Sequence, residues 1–195
     1  MREAAWLRGP VEGVIPALQP VAHALIQAQD DLEWVVPNIS PEELWTAPGG
    51  AASPGFHLLH LAESTDRLLT YARGESLSEA QKVRLSTEKE PQPSVGAEEL
   101  LARVRTVFAE ALAKVREVQE EDLDETRHVG TEGIPSNVRG LFYHMAEHAT
   151  RHVGQLITTL NVSRNAPLRH GGSAGAESSA EPRGHTSAGA RPEPR

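Results

Sequence analysis

Three histidines, His144, His148 and His152, follow one another at four-residue intervals in the stretch HMAEHATRHVGQL. Two more, His57 and His60, lie three residues apart in GFHLLHLAEST. Neutral imidazole nitrogens are ligands for Zn²⁺, Ni²⁺ and other divalent ions. Residues one helical turn apart share a face, so a pair such as His148 and His152 can offer two nitrogens to one ion. Three nitrogen donors would leave a coordination position open for water or substrate, as catalytic zinc sites do. The competing use of such rings is structural: inward histidines, each hydrogen-bonded to a neighbour. Unpartnered imidazoles are costly to bury, so either use requires polar company.

HMAEH also fits H-x-x-E-H, the inverted zinc-protease pattern, in which His144 and His148 would bind zinc and Glu147 would serve as base. That chemistry needs a third, acidic ligand well downstream, where this chain offers only a Gly-, Ser- and Pro-rich tail. The pattern is therefore read as coincidental.

The orientation of the rings depends on the helices that carry them. With Leu141 at zero on a helical wheel, Met145 falls at about 40° and Leu156 at about 60°. His148 then lies at about −20° and His152 at about 20°, inside the apolar stripe, whereas His144 and Gln155 lie towards its edge at about −60° and about −40°. In the other cluster, His57 is about 60° from the apolar centre and His60 about 120°. Periodicity alone thus turns His57 inward in preference to His60. Glu63, Ser64 and Arg67 share the His60 side, as pocket lining or as a solvated face.

Four long helices are expected, at about 17–36, 53–72, 95–121 and 136–161, with short ones at 41–46 and 77–85 in the connections. Ser40-Pro41-Glu42-Glu43 reads as a capping box, Ser53-Pro54 as a helix start, and Ser136 as the cap of the last helix. Leu100, Val104, Val107, Phe108, Ala111, Val115 and Val118 form a bundle stripe. TEKEPQPSVG reads as a linker, and EDLDETRHVGTEGIP as a loop or a local hairpin. The fold class is all-α: a four-helix bundle over residues 1–165, followed by a disordered tail over 166–195 whose composition has little to bury.

The 195 residues include no cysteine, so disulfides, thiolate ligands and a cysteine nucleophile are excluded. A net charge of −8 argues against non-specific nucleic-acid binding. No stretch has the length of apolar sequence that a membrane span needs, and MREAAWLRGPVEG lacks a signal-peptide core, so a cytoplasmic location is expected.

His60-Leu61-Ala62-Glu63-Ser64, together with His148-Ala149-Thr150-Arg151-His152-Val153-Gly154-Gln155-Leu156, resembles the DinB-like superfamily. The similarity spans about residues 10–162 in element order. It implies a four-helix bundle of up-up-down-down type and a divalent metal on three histidines, which by position are His60, His148 and His152. This choice sets His60 against the His57 that the wheel prefers. A metal pocket is where simple amphipathicity should fail, so the motif position is followed.

The resemblance further implies a homodimer and a metal-dependent transferase or isomerase using a low-molecular-weight thiol, whose pKa a metal would lower. His57, His144, Gln155 and Glu63 are candidates to orient a ligand, replace one, or bind substrate. Trp45 and Tyr143 could line a pocket or pack in the core. A non-catalytic metal-binding or stress-response protein is the alternative.

Overall fold

The computed structural model describes residues 3–165; the tail expected over 166–195 lies outside them. Six α-helices are present among these residues: α1 (Gln19–Val35), α2 (Pro41–Leu44), α3 (Pro54–Ala72), α4 (Glu79–Thr87), α5 (Ala97–Glu117) and α6 (Val138–Asn165). A two-stranded antiparallel hairpin, β1 (Thr126–Val129) and β2 (Ile134–Asn137), joins α5 to α6, with Thr126 opposite Asn137. Gly130 and Gly133, at φ of 72° and 63°, turn the chain between the strands. No helix of the described residues is long and apolar enough to cross a membrane.

The starts of α2, α3, α4 and α6 follow from side-chain chemistry. Ser40 and Glu43 form a reciprocal capping box on α2, and Ser53 Oγ accepts from the Phe56 amide at the start of α3. Ser78 and Gln81 repeat the capping box on α4. Each such cap is worth about 1 kcal/mol. At α6 the cap is Asn137 in place of the expected Ser136, because the Asn137 carboxamide oxygen reaches the Gly140 amide at 2.7 Å. The helix continues to Asn165, one turn beyond the expected end. Helix α5 is shorter than its apolar stripe suggests, since Val118 is extended (φ −69°, ψ 131°) although still buried.

The four long helices form a ring in which α1 and α3 each pack on α5 and α6. Side-chain pairs fix the directions. His57 meets His152 and His60 meets His148, so α3 and α6 are antiparallel. Arg105 binds Glu33 and Arg116 reaches the Glu12 carbonyl, so α5 runs against α1. Arg164, at the end of α6, reaches Glu43 and the Asn38 carbonyl just past the end of α1, making α1 and α6 parallel. The order is therefore up-down-down-up, correcting the up-up-down-down expectation. The physical reason is α4, which returns the chain along α3 so that α5 starts from the same end as α3.

Phe108, Phe142, Leu25, Leu32, Leu58, Leu61, Leu100 and Leu101 fill the interior, each under 2 % exposed. Full burial of one such side chain contributes about 1.5–3 kcal/mol. Helix α4 is held differently. Gln81 donates to Asp66 at 3.0 Å and Thr70 at 2.7 Å, and Arg84 donates to Glu63 at 2.5 Å and Asp66 at 2.9 Å. The next rung of this polar ladder is Glu88, which arrives at the level of His60.

Candidate metal centre

Helix α3 brings His57 and His60, and α6 brings His148 and His152, to one point between the two helices. His60, His148 and His152 each offer a ring nitrogen, and these nitrogens lie within 4.8 Å of one another. His60 Nε2 and His148 Nε2 are 3.1 Å apart. Two donors on a tetrahedral zinc ion sit about 3.3 Å apart, from zinc–nitrogen bonds of about 2.0–2.1 Å. The His60–His148 pair is therefore spaced as two ligands of one divalent ion would be, and the His152 nitrogen lies within 4.8 Å of both. All three rings are partly exposed, which leaves an approach from solvent.

The second nitrogen of each ring also has company. His60 Nδ1 is bound to Glu88 Oε1. His148 Nδ1 is 3.5 Å from Ser64 Oγ, a hydroxyl that donates to the His60 carbonyl at 2.5 Å. His152 Nδ1 is 2.9 Å from His57 Nδ1. Metal-binding histidines characteristically have their outer nitrogen engaged in this way, which fixes the tautomer and aims the other lone pair.

Burial, with charge on the neighbouring His60 ring second, pushes His57 and His148 down to about 4. Burial, followed by the neighbouring imidazoles, takes His152 down to about 3. At neutral pH these rings are neutral, the form that has a lone pair to give.

The wheel and the motif position each account for one histidine of α3. His57 is the buried ring, 4 % exposed, and sits behind His152. His60 is the partly exposed ring, and its nitrogen joins the group of three. Phe56 stacks on His60, with centroids 5.3 Å apart and planes 10° apart, covering one ring face.

The remaining candidates stand outside this group of three, although the His144 ring lies edge-on to His148 with centroids 5.5 Å apart. Glu63 turns to Arg84 on α4, so its carboxylate serves the ladder and not the histidines. His144 is half exposed and lies 3.5 Å from Glu147, which in turn pairs with Arg151 along the outer face of α6. Gln155 is on the exposed side of α6. Tyr143 is 68 % exposed, whereas Trp45 packs against the core.

Glu88 is the residue that the sequence analysis missed. It lies in the stretch read as a linker, yet it is 4 % exposed and joins His60 to Arg67, whose Nη2 is 3.0 Å from Glu88 Oε2. Gln81, Arg84 and Glu88 recur at one-turn spacing, and that polar stripe was the available signal.

Comparison with known proteins agrees with this architecture. The family model of the DinB superfamily matches residues 24–156. A conserved protein from Enterococcus faecalis has a similar structure, with a TM-score of 0.59 and 17% identity, over 74% of this chain and 95% of that one. YfiT from Bacillus subtilis, described as a probable metal-dependent hydrolase with an unusual four-helix bundle topology, is similar at a TM-score of 0.57 and 15% identity, covering 80% of this chain and 92% of its own. At these identities the likeness is one of fold. No match is found among curated proteins.

Proposed function

We infer that this chain, which belongs to the DinB superfamily over residues 24–156, holds a divalent metal ion on His60, His148 and His152 and uses it in a reaction of a small molecule. The observation that carries this is the convergence of three neutral-capable ring nitrogens within 4.8 Å, from partly exposed rings whose outer nitrogens are engaged. Zinc and nickel both suit an all-imidazole set. A bound ion of this kind supplies Lewis acidity and lowers the pKa of a thiol or water in its open position.

The chain's own residues do the rest. His57 and Glu88 hold two of the ring planes, Ser64 stands at the third, and Phe56 covers one face of His60. The chain has no thiol of its own, so thiol chemistry here calls for a low-molecular-weight thiol as cosubstrate, and the activity is read as thiol S-transfer to an electrophile. The probable hydrolase activity ascribed to YfiT favours a second reading, in which water takes the place of the thiol.

The test is metal analysis of the purified protein beside a His148→Ala, His152→Ala double variant. Metal in the wild type and its loss in the double variant are expected; equal content in both overturns the site. Metal-dependent consumption of thiol, against a panel of electrophiles, separates transfer from hydrolysis of ester and amide substrates. Absence of both activities in the loaded protein would leave a non-catalytic metal-binding bundle. A homodimer belongs to the same reading, supported by the exposed Trp6, Leu7 and Trp34, and a monomer in sedimentation equilibrium would remove it.

A further inference from the structure

We propose that Glu88 is a positioning residue that locks His60 in the Nδ1–H tautomer and so reserves its Nε2 lone pair for the metal. The proposal rests on the metal reading of the histidine cluster. It depends on a residue from outside the two histidine-bearing helices.

Three observations combine. First, Glu88 Oε1 is bound to His60 Nδ1, and the opposite nitrogen of that ring, Nε2, is the one that faces His148 Nε2 at 3.1 Å. Second, Arg67 Nη2 is 3.0 Å from Glu88 Oε2, so a guanidinium balances the carboxylate charge in a nearly dry place, with Glu88 4 % and Arg67 9 % exposed. A carboxylate paired in this way has only lone pairs to offer, so the proton of the contact belongs to His60 Nδ1. Neutral imidazole has one N–H, and Nε2 is then left bare. Third, Glu88 is brought there by construction. It ends α4, and the rungs Gln81 to Asp66 and Thr70, and Arg84 to Glu63 and Asp66, fix that helix along α3. The ladder delivers the carboxylate to the ring without help from apolar packing.

The test begins with the metal-free wild-type protein. Nitrogen-15 NMR of the imidazoles is expected to find His60 protonated at Nδ1 and bare at Nε2. The opposite tautomer overturns the proposal whatever any variant does. The second readout is titration with Zn²⁺ alone. Glu88→Ala is expected to weaken zinc binding by about 10–100-fold. Glu88→Gln keeps an oxygen that can accept from Nδ1–H, and is expected to lose less than the alanine variant.

Zinc affinity within about twofold of wild type in folded Glu88→Ala overturns the tautomer lock. So does an equal loss in both variants, which would mean general support of the local structure. If Glu88→Ala does not fold, the wild-type tautomer and the glutamine variant decide the matter. Failure of the underlying metal site looks different: wild type and the His148→Ala, His152→Ala double variant would then bind zinc equally, or neither would bind it.

Discussion

His57 Nδ1 and His152 Nδ1 stand 2.9 Å apart, so one of the two carries a proton that the other accepts. If His152 gives Nε2 to a metal, its Nδ1 must carry the hydrogen and His57 Nδ1 must receive it. His57 is then an acceptor buried behind a ligand, doing for His152 what a carboxylate does for His60.

This geometry separates the two histidines of α3 by experiment. His60→Ala removes one of three donors, and zinc binding is expected to fall by more than about 100-fold, beyond the usual effect of an outer partner. His57→Ala removes only a support, and a loss nearer to about tenfold is expected. Competition with a chromophoric chelator measures both. The reverse order would make His57 the ligand.

The outer face of α6 provides a matched negative. His144 and Glu147 complete the H-x-x-E-H pattern, but the structure engages Glu147 with Arg151 at the surface and leaves His144 half exposed. A His144→Ala, Glu147→Ala double variant is expected to retain zinc affinity within about twofold, because neither side chain belongs to the group of three nitrogens. A tenfold loss in the same titration would return His144 to the ligand set.

The residues of this site differed in how legible they were. His148 and His152 declared themselves because two polar rings lie in the apolar stripe of a long helix, and helical geometry leaves them one direction to point. Ser40 and Ser53 were equally plain, since caps depend on neighbours within four residues. His57 and His60 were harder to tell apart because both are in the cluster, one behind it and one at its open side. Glu88 was not legible as a site residue. Its position depends on how α4 lies along α3, a tertiary relationship made by polar rungs that hydropathy reads as solvent-facing surface. The direction of the helices was hidden for the same reason, since the return of the chain through α4 decides it. The hairpin at 126–137 gave only turn residues and a short alternation, too little to separate a loop from a pair of strands.

Gly55 offers a test of packing near the site. A Cβ added there would lie 2.8 Å from the Leu44 carbonyl oxygen and 2.8 Å from two ring carbons of Trp45. The absent side chain is what lets the first turn of α3 approach the segment after α2. Gly55→Ala is therefore expected to destabilise the fold by about 1–3 kcal/mol through overpacking, despite alanine's better helix propensity. A thermal melt would register this as a drop of several degrees. An unchanged or raised Tm would mean that the Trp45 ring moves aside at little cost.

Glu43 should give the molecule a pH-dependent tie at one end of the bundle. Its carboxylate receives Arg164 Nε at 2.7 Å and the Ser40 amide at 2.8 Å, joining the α2 cap to the last turn of α6. The hydrogen bond from Arg164, with that from the Ser40 amide second, lowers its pKa from 4.5 to about 2. A carboxyl held below its unfolded value contributes stability that is complete above the unfolded pKa and disappears as pH falls through the folded one. The window is thus from about pH 5 down to about pH 2. Urea midpoints across that window are expected to fall more steeply for wild type than for Glu43→Gln, with the two curves drawing together at the acid end. Added salt should shrink the difference, because Glu43 and Arg164 are both partly exposed, at 25% and 39%. Parallel curves for the two proteins would show that this ion pair contributes nothing to folding. Since α6 carries two of the three proposed ligands, Glu43→Gln should leave zinc affinity at neutral pH unchanged if its last turn is independent of the site.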